Sequence, residues 1–332
     1  GCTSVASAAT AVTVKMMPAA PVVLASGSTT FCDGNNVRLN SDAVSGNQWY
    51  KDGAKIDGAT SNEWTASKSG NYTVTSTIDG CTGAASTATV ILVKQNPAIP
   101  VISTEGATVF CEGGQVKLGS NALAGNQWYR NGVAIKDQNG TSLLASTSGV
   151  YSVSSTIDGC TTTSNKTVAV TVNSYPAVPL ISANGNLSFC DGESVLLTAN
   201  ATTGLQWMKD GMQIKNATGS SYSATEPGYY TVSATLNGCT TNAQAGASVR
   251  VKQRPQAPAI LANGGTAVCE GGVVSLSSMA NQGNQWYKNG VALNGANGMV
   301  FGAATTGTYT MTVSADGCIS AKSNPVAVNV CL

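Results

Sequence analysis

Apolar and polar residues alternate over short stretches along this chain. Val116-Lys117-Leu118 alternates as a half-buried strand does, and Tyr72-Thr73-Val74-Thr75-Ser76-Thr77-Ile78 continues the pattern over a longer run. Between such runs stand turn pairs. Asp52-Gly53, Asn131-Gly132, Asp210-Gly211 and Asn289-Gly290 each follow an N-Q-W-Y-like stretch, and a tight hairpin needs positive φ there, which Asn, Asp and Gly tolerate best. The tryptophan before each pair is therefore expected on a strand entering a hairpin. A further strand carries one large apolar residue at a fixed place: Trp64, Leu143, Tyr222 and Phe301. Next, G-x-Y opens a long strand, and a [DN]-G turn leads into the last one.

These elements return with a period of 79 residues, without insertion or deletion. Cys32, Cys111, Cys190 and Cys269 obey it, as do Cys2, Cys81, Cys160, Cys239 and Cys318. So do Trp49, Trp128, Trp207 and Trp286, then Tyr72, Tyr151, Tyr230 and Tyr309, and the P-x-x-P linkers that begin at Pro18, Pro97, Pro176 and Pro255. The periodicity predicts four repeats, 18–96, 97–175, 176–254 and 255–332. Residues 1–17 match only the tail of a repeat (GCTSVASAATAVTV beside GCTTTSNKTVAVTV) and are expected to form the final strand of a preceding repeat. In each repeat a first strand such as Pro100-Val101-Ile102-Ser103 precedes a short strand ending at the first cysteine. Seven or eight strands in so short a repeat predict an all-β chain of four tandem sandwiches, with the tryptophans and tyrosines above as structural core.

Composition changes this picture mainly by exclusion. The net charge is +1 and only 10% of residues are charged, which leaves no basic stripe for a nucleic acid. Histidine is absent, which removes Ser-His-Asp and Cys-His catalysis and the commonest zinc ligand. No enzyme activity, cofactor or metal is expected. No apolar run reaches the roughly 18 residues of a membrane span; the best, around Thr89-Val90-Ile91-Leu92-Val93, is one strand long. Ten cysteines argue for an oxidising, extracellular compartment.

The succession V-x-L, Trp, G-x-Y is similar to that of an immunoglobulin domain. With C-x-G…W-Y-[KR]-[DN]-G…G-x-Y-[TS]-V…G-C, the repeats more closely resemble the bacterial immunoglobulin-like modules of large surface proteins exported by the type IX system. The resemblance covers essentially the whole chain. It implies a secreted or cell-surface stalk, adhesin or filament segment, with neighbouring repeats, and other copies in a filament, as partners.

One feature departs from the immunoglobulin pattern. Aligning V-x-L and G-x-Y puts the usual inter-sheet cysteine pair at Ser41 with Val74, Ser120 with Val153, Ala199 with Val232 and Ser278 with Met311. The cysteines have moved outward, to places that immunoglobulin topology puts at opposite ends of a domain. Cys81 lies seven residues past Val74, on the order of 20 Å along a strand, whereas a disulfide needs Cα atoms within about 7 Å. Bonds between successive domains are therefore the preferred reading: Cys32 with Cys160, Cys111 with Cys239 and Cys190 with Cys318. Cys269 would close the array with Cys331, the one irregular cysteine, at a place held elsewhere by Lys94, Asn173 and Lys252. Cys2 and Cys81 would pair with upstream repeats. The alternative is Cys32 with Cys81 and its equivalents, which leaves Cys2 and Cys331 over. Braced joints predict a stiff rod, and independent domains a flexible string.

Other motifs have plainer readings. The C-[DE]-G stretches beginning at Cys32, Cys111, Cys190 and Cys269 offer one carboxylate each, whereas a calcium cage needs six or more oxygens; they read as turns. The Trp-Tyr pairs read as core rather than as sugar platforms. Sequons at Asn71, Asn139, Asn165, Asn186, Asn200 and Asn216 follow from a composition rich in Asn and Thr. The leading expectation is a structural, disulfide-braced stalk or filament region. The alternatives are a glycan- or matrix-binding adhesin that uses its varied loops, such as Asp137-Gln138-Asn139-Gly140, or accessory modules of a larger exported enzyme. Residues 1–17 could also pair with another chain as an added strand.

Overall fold

The computed structural model describes residues 1–331. Among the described residues, all regular structure is strand. The first sandwich comprises β1 (Val23–Ala25), β2 (Thr30–Cys32), β3 (Val37–Ser41), β4 (Asn47–Lys51), β5 (Ala54–Lys55), β6 (Glu63–Ala66), β7 (Gly70–Ile78), β8 (Cys81–Thr82) and β9 (Thr89–Lys94). One sheet has the order β1-β3-β6 and the facing one β2-β9-β7-β4-β5, with β8 also paired to β7. The first strand thus splits between the sheets, and β2 runs parallel to β9 while every other pairing in the sandwich is antiparallel. The same arrangement recurs in three further sandwiches, so the chain is a tandem array of four immunoglobulin-like domains. Two compact units divide it, 1–172 with the sandwiches built on Trp49 and Trp128, and 173–332 with those built on Trp207 and Trp286.

Nine strands form where the sequence reading expects seven or eight, because the β5 and β8 equivalents are two- to four-residue extensions of the hairpin turns. Those turns follow their residues. Asp52 and Gly53 have φ of 48° and 80°, and Asp158 and Gly159 have φ of 51° and 83°, the paired positive values of a type I′ turn. The carboxylate of Asp52 also accepts the Asn71 amide at 2.8 Å, and Asn131 Oδ1 accepts the Val150 amide at the same distance.

Each core forms around a tryptophan with no exposed surface. Its register partner on the long strand is the residue where an immunoglobulin domain has its second cysteine: Trp49 faces Val74, Trp128 faces Val153, Trp207 faces Val232 and Trp286 faces Met311. The indole N–H is satisfied by a backbone carbonyl twelve residues on, such as Ser61 O at 2.9 Å from Trp49. Two residues before Val74, the Tyr72 hydroxyl donates back to Lys68 O at 3.0 Å, and Tyr151, Tyr230 and Tyr309 donate likewise to Thr147, Glu226 and Thr305. This is the tyrosine corner of immunoglobulin-type sandwiches. Burial pushes the Tyr72 and Tyr230 hydroxyls above the ordinary tyrosine value, so both remain donors at neutral pH.

Residues 1–17 make no strand, and Val12 and Val14 are 84% and 89% exposed. The corresponding β9 is ordered by ladders to β2 and β7 on either side. Residues 10–15 have no such ladder partner, and an unpaired strand does not hold by itself.

One glycine in each sandwich is fixed by contact. At Gly125, φ is 68° and a β-carbon would stand 2.1 Å from Thr156 O, the residue whose amide bonds Gly125 O at 2.9 Å. Gly46, Gly204 and Gly283 repeat this approach. Gly125→Ala is expected to destabilise its sandwich by about 2 kcal/mol or more, seen as lost hydrogen-exchange protection across residues 116–172; unchanged protection would contradict this account of the turn.

Candidate functional site

The short strand β2 determines where its cysteine goes. Its parallel ladder with β9 pairs Thr30 with Leu92, Phe31 with Val93 and Cys32 with Lys94. Asp33 N then donates to Lys94 O at 2.8 Å and Asn96 Nδ2 to Asp33 O at 2.9 Å. Cys32 therefore ends a strand, rather than sitting in a turn, at the end of the sandwich where the chain leaves for Pro97. Cys81 begins β8 opposite Ile78, at the far end of β7.

In the next repeat the turn Asp158-Gly159 presents Cys160. Cys32 and Cys160 are disulfide-bonded with Cα atoms 5.6 Å apart. Lys94 Nζ donates to Asp158 O at 2.8 Å, and Thr162 Oγ1 lies 3.2 Å from the carbonyls of both Pro97 and Ala98. One joint thus combines a covalent bond, a cation on a turn carbonyl and a linker held along the neighbouring strand.

The second unit repeats the arrangement. Cys190 and Cys318 are bonded with the same Cα separation, 5.6 Å, and Lys252 Nζ donates to Asp316 O at 2.9 Å. Arg254, the counterpart of Asn96, adds three bonds: Nε to Asp191 O at 2.7 Å, Nη1 to Ile319 O at 3.0 Å and Nη2 to the Glu193 carboxylate at 2.9 Å. Cys160 and Cys318 have no exposed surface, whereas their partners Cys32 and Cys190 are half-buried, so a reductant in solution meets each bond from the Cys32 or Cys190 side. Lys15 makes the same contact with Asp79 O at 2.9 Å, again 64 residues on, although the segment before it forms no strand.

Cys111 and Cys239 are not free thiols. Cys2, Cys81, Cys269 and Cys331 are. The closing bond expected between Cys269 and Cys331 is not made, although the two are register partners in the parallel ladder of Ala267–Cys269 with Val326–Cys331. Side chains directly opposite on parallel strands project side by side near the interstrand spacing of about 4.8 Å. A disulfide draws its β-carbons to roughly 3.5–4.5 Å, slightly closer than that spacing. The lysine contact was not foreseen from sequence. Its signal is a long cationic side chain recurring at the end of an apolar strand, at Lys15, Lys94 and Lys252.

Trp49, Trp128, Trp207 and Trp286 are all fully buried, which removes them from any sugar-stacking surface. Asp33, Glu112, Asp191 and Glu270 follow their cysteines singly, and among the described residues no three metal-ligating side chains gather. Among the described residues no helix is long and apolar enough to cross a membrane.

No family model matches the chain, and no curated protein matches it. Among solved structures it is similar to the N-terminal eight immunoglobulin domains of Down syndrome cell adhesion molecule, at 15% identity and a TM-score of 0.29, over 95% of this chain and 48% of that one. It thus spans about half the length of that structure. Titin domains I67–I69, in an E-to-A mutated variant, are similar at 13% identity and a TM-score of 0.38, over 71% of this chain and 100% of that one. The mouse nectin-like molecule 4 ectodomain is similar at 15% and 0.31, over 68% and 96%. At these values the likenesses say nothing of what the chain binds.

Alkylation without reductant is expected to label Cys2, Cys81, Cys269 and Cys331, and a non-reducing peptide map to recover Cys32 joined to Cys160 and Cys190 joined to Cys318. Recovery of Cys32 with Cys81 would rule out the covalent joint between sandwiches.

Proposed function

We propose that this chain is the structural region of an extracellular stalk or filament, in which disulfides between successive repeats limit bending at each joint. The observation that carries the reading is that Cys32–Cys160 and Cys190–Cys318 tie neighbouring sandwiches and not the two sheets of one. A linker alone is a hinge. A linker beside a disulfide, a lysine clasp and strand-side contacts offers two separated connections, which resist rotation. Chain entropy argues the same way, since a bond closing a loop of 128 residues is worth about 5 kcal/mol against the unfolded chain. Disulfides also support an oxidising compartment outside the cytoplasm. The resemblance to modules exported by the bacterial type IX system supports a cell-surface setting, with further repeats or other copies as partners. The low charge and the absence of histidine support a structural rather than an enzymatic role.

Pulling single molecules from their ends tests this. Each joint disulfide shields 128 residue steps, so reduction is expected to release about 45 nm of hidden length per bond, at ~3.5 Å per residue. Equal extension before and after reduction would rule out a covalent brace along the line of force.

A further inference from the structure

A groove of about 850 Å³ opens on the second sandwich, between the edge strands Val133–Ala134 and Ser142–Ala145. Leu143, Ile135 and Tyr151 give it apolar walls, and Gln138 and Arg130 bring polar groups to it. Its origin is a residue difference within the repeat. Where this sandwich has Leu143, the others have Trp64, Tyr222 and Phe301. In the third sandwich the Tyr222 ring lies 6.1 Å from that of Trp207 and 5.7 Å from that of Tyr230. In the fourth, Phe301 lies 5.7 Å from Trp286 and 5.8 Å from Tyr309. A ring thus extends the row between core tryptophan and corner tyrosine out to the surface. Leu143 stops short of this, only 7% exposed, and leaves room above it.

Two further differences converge on the same place. Gln138 stands where the other repeats have Ala59, Ala217 and Ala296, and so adds an amide. The lysines that correspond to Arg130 are engaged, Lys51 with Asp52, Lys209 with Glu226 and Lys288 with the Thr305 hydroxyl. The carboxylates that engage Lys51 and Lys209 are replaced around Arg130 by Asn131 and Thr147, the residue types the fourth repeat also has, and none of the described side chains that line the groove is acidic.

We propose that this groove is a binding site for a small aromatic carboxylate. The ring takes the place of the aromatic residue the other repeats supply, over Leu143 and beside Tyr151. The carboxylate meets the Arg130 guanidinium, whose planar fork matches two oxygens. The volume lies within the range of small-molecule sites. The site is independent of the joints, so its failure leaves the structural reading untouched.

Titration with 3-phenylpropionate, followed by amide shifts in nuclear magnetic resonance, tests the proposal on the full chain. Saturable shifts confined to residues 130–151 are expected, with a dissociation constant on the order of 1 mM for a ligand of this size. Leu143→Phe should keep the thermal midpoint, because three repeats already carry a ring there, and weaken binding at least tenfold. Arg130→Gln, an exposed change that leaves the core alone, should weaken it about tenfold. No saturation, equal binding of the neutral 3-phenylpropionamide, or undiminished binding by either variant would overturn the proposal.

Discussion

The joints depend on one parallel pairing. Three residues of β2 lie alongside the end of β9, and this register sets Cys32 beside Lys94. Shift the pair by one residue and the cysteine side chain turns to the other face of the sheet. In the register observed, the sulfur, the lysine and the start of the linker all lie at one end of the sandwich. The neighbouring repeat has to present only one turn, Asp158-Gly159, followed by a cysteine. That turn is rigid because both its residues hold positive φ, so its carbonyl and its sulfur arrive together.

Moving the cysteines out to the joints leaves the sandwich interior without a covalent tie. The vacated places hold Val74, Val153, Val232 and Met311, all fully buried. Cohesion there falls to the tryptophan packed against this residue and to the tyrosine hydroxyl that pins the loop before its strand. A fully buried tryptophan contributes several kcal/mol, about 3–5 on truncation to alanine, comparable with an intradomain disulfide. The exchange leaves each core stable by packing and assigns the covalent bonds to the connections between domains.

Much of this was legible in the sequence because the repeats act as four readings of one pattern. Alternation and the Asp-Gly and Asn-Gly pairs locate the hairpins, and G-x-Y locates the tyrosine corner. The short strands were harder. β8 and β5 have two residues each, too few for any periodicity, and β2, although expected as a short strand, has its parallel partner some 60 residues away. The Cys269 and Cys331 places are adjacent, as expected, but adjacency in a parallel ladder is not itself a bond, and spacing along the chain does not encode the difference. The groove at Leu143 was hidden for a related reason. Leucine and phenylalanine are equivalent in an apolar pattern, and only the neighbouring rings make their difference in length matter.

The polar contacts at the joints share a chemistry that fits the rest of the chain. Lys94 and Lys252 donate to backbone carbonyls, acceptors that do not titrate. An exposed lysine–carboxylate pair is worth little, weakens with salt and is lost when the carboxylate protonates. A carbonyl at the tip of a I′ turn is held in place by the backbone and keeps its acceptor through that range. Where a carboxylate does enter, as Glu193 with Arg254, the same guanidinium also holds Asp191 O and Ile319 O. With no histidine and few charges, such a joint changes little with pH or ionic strength, and its principal chemical vulnerability is reduction of the disulfide at its centre.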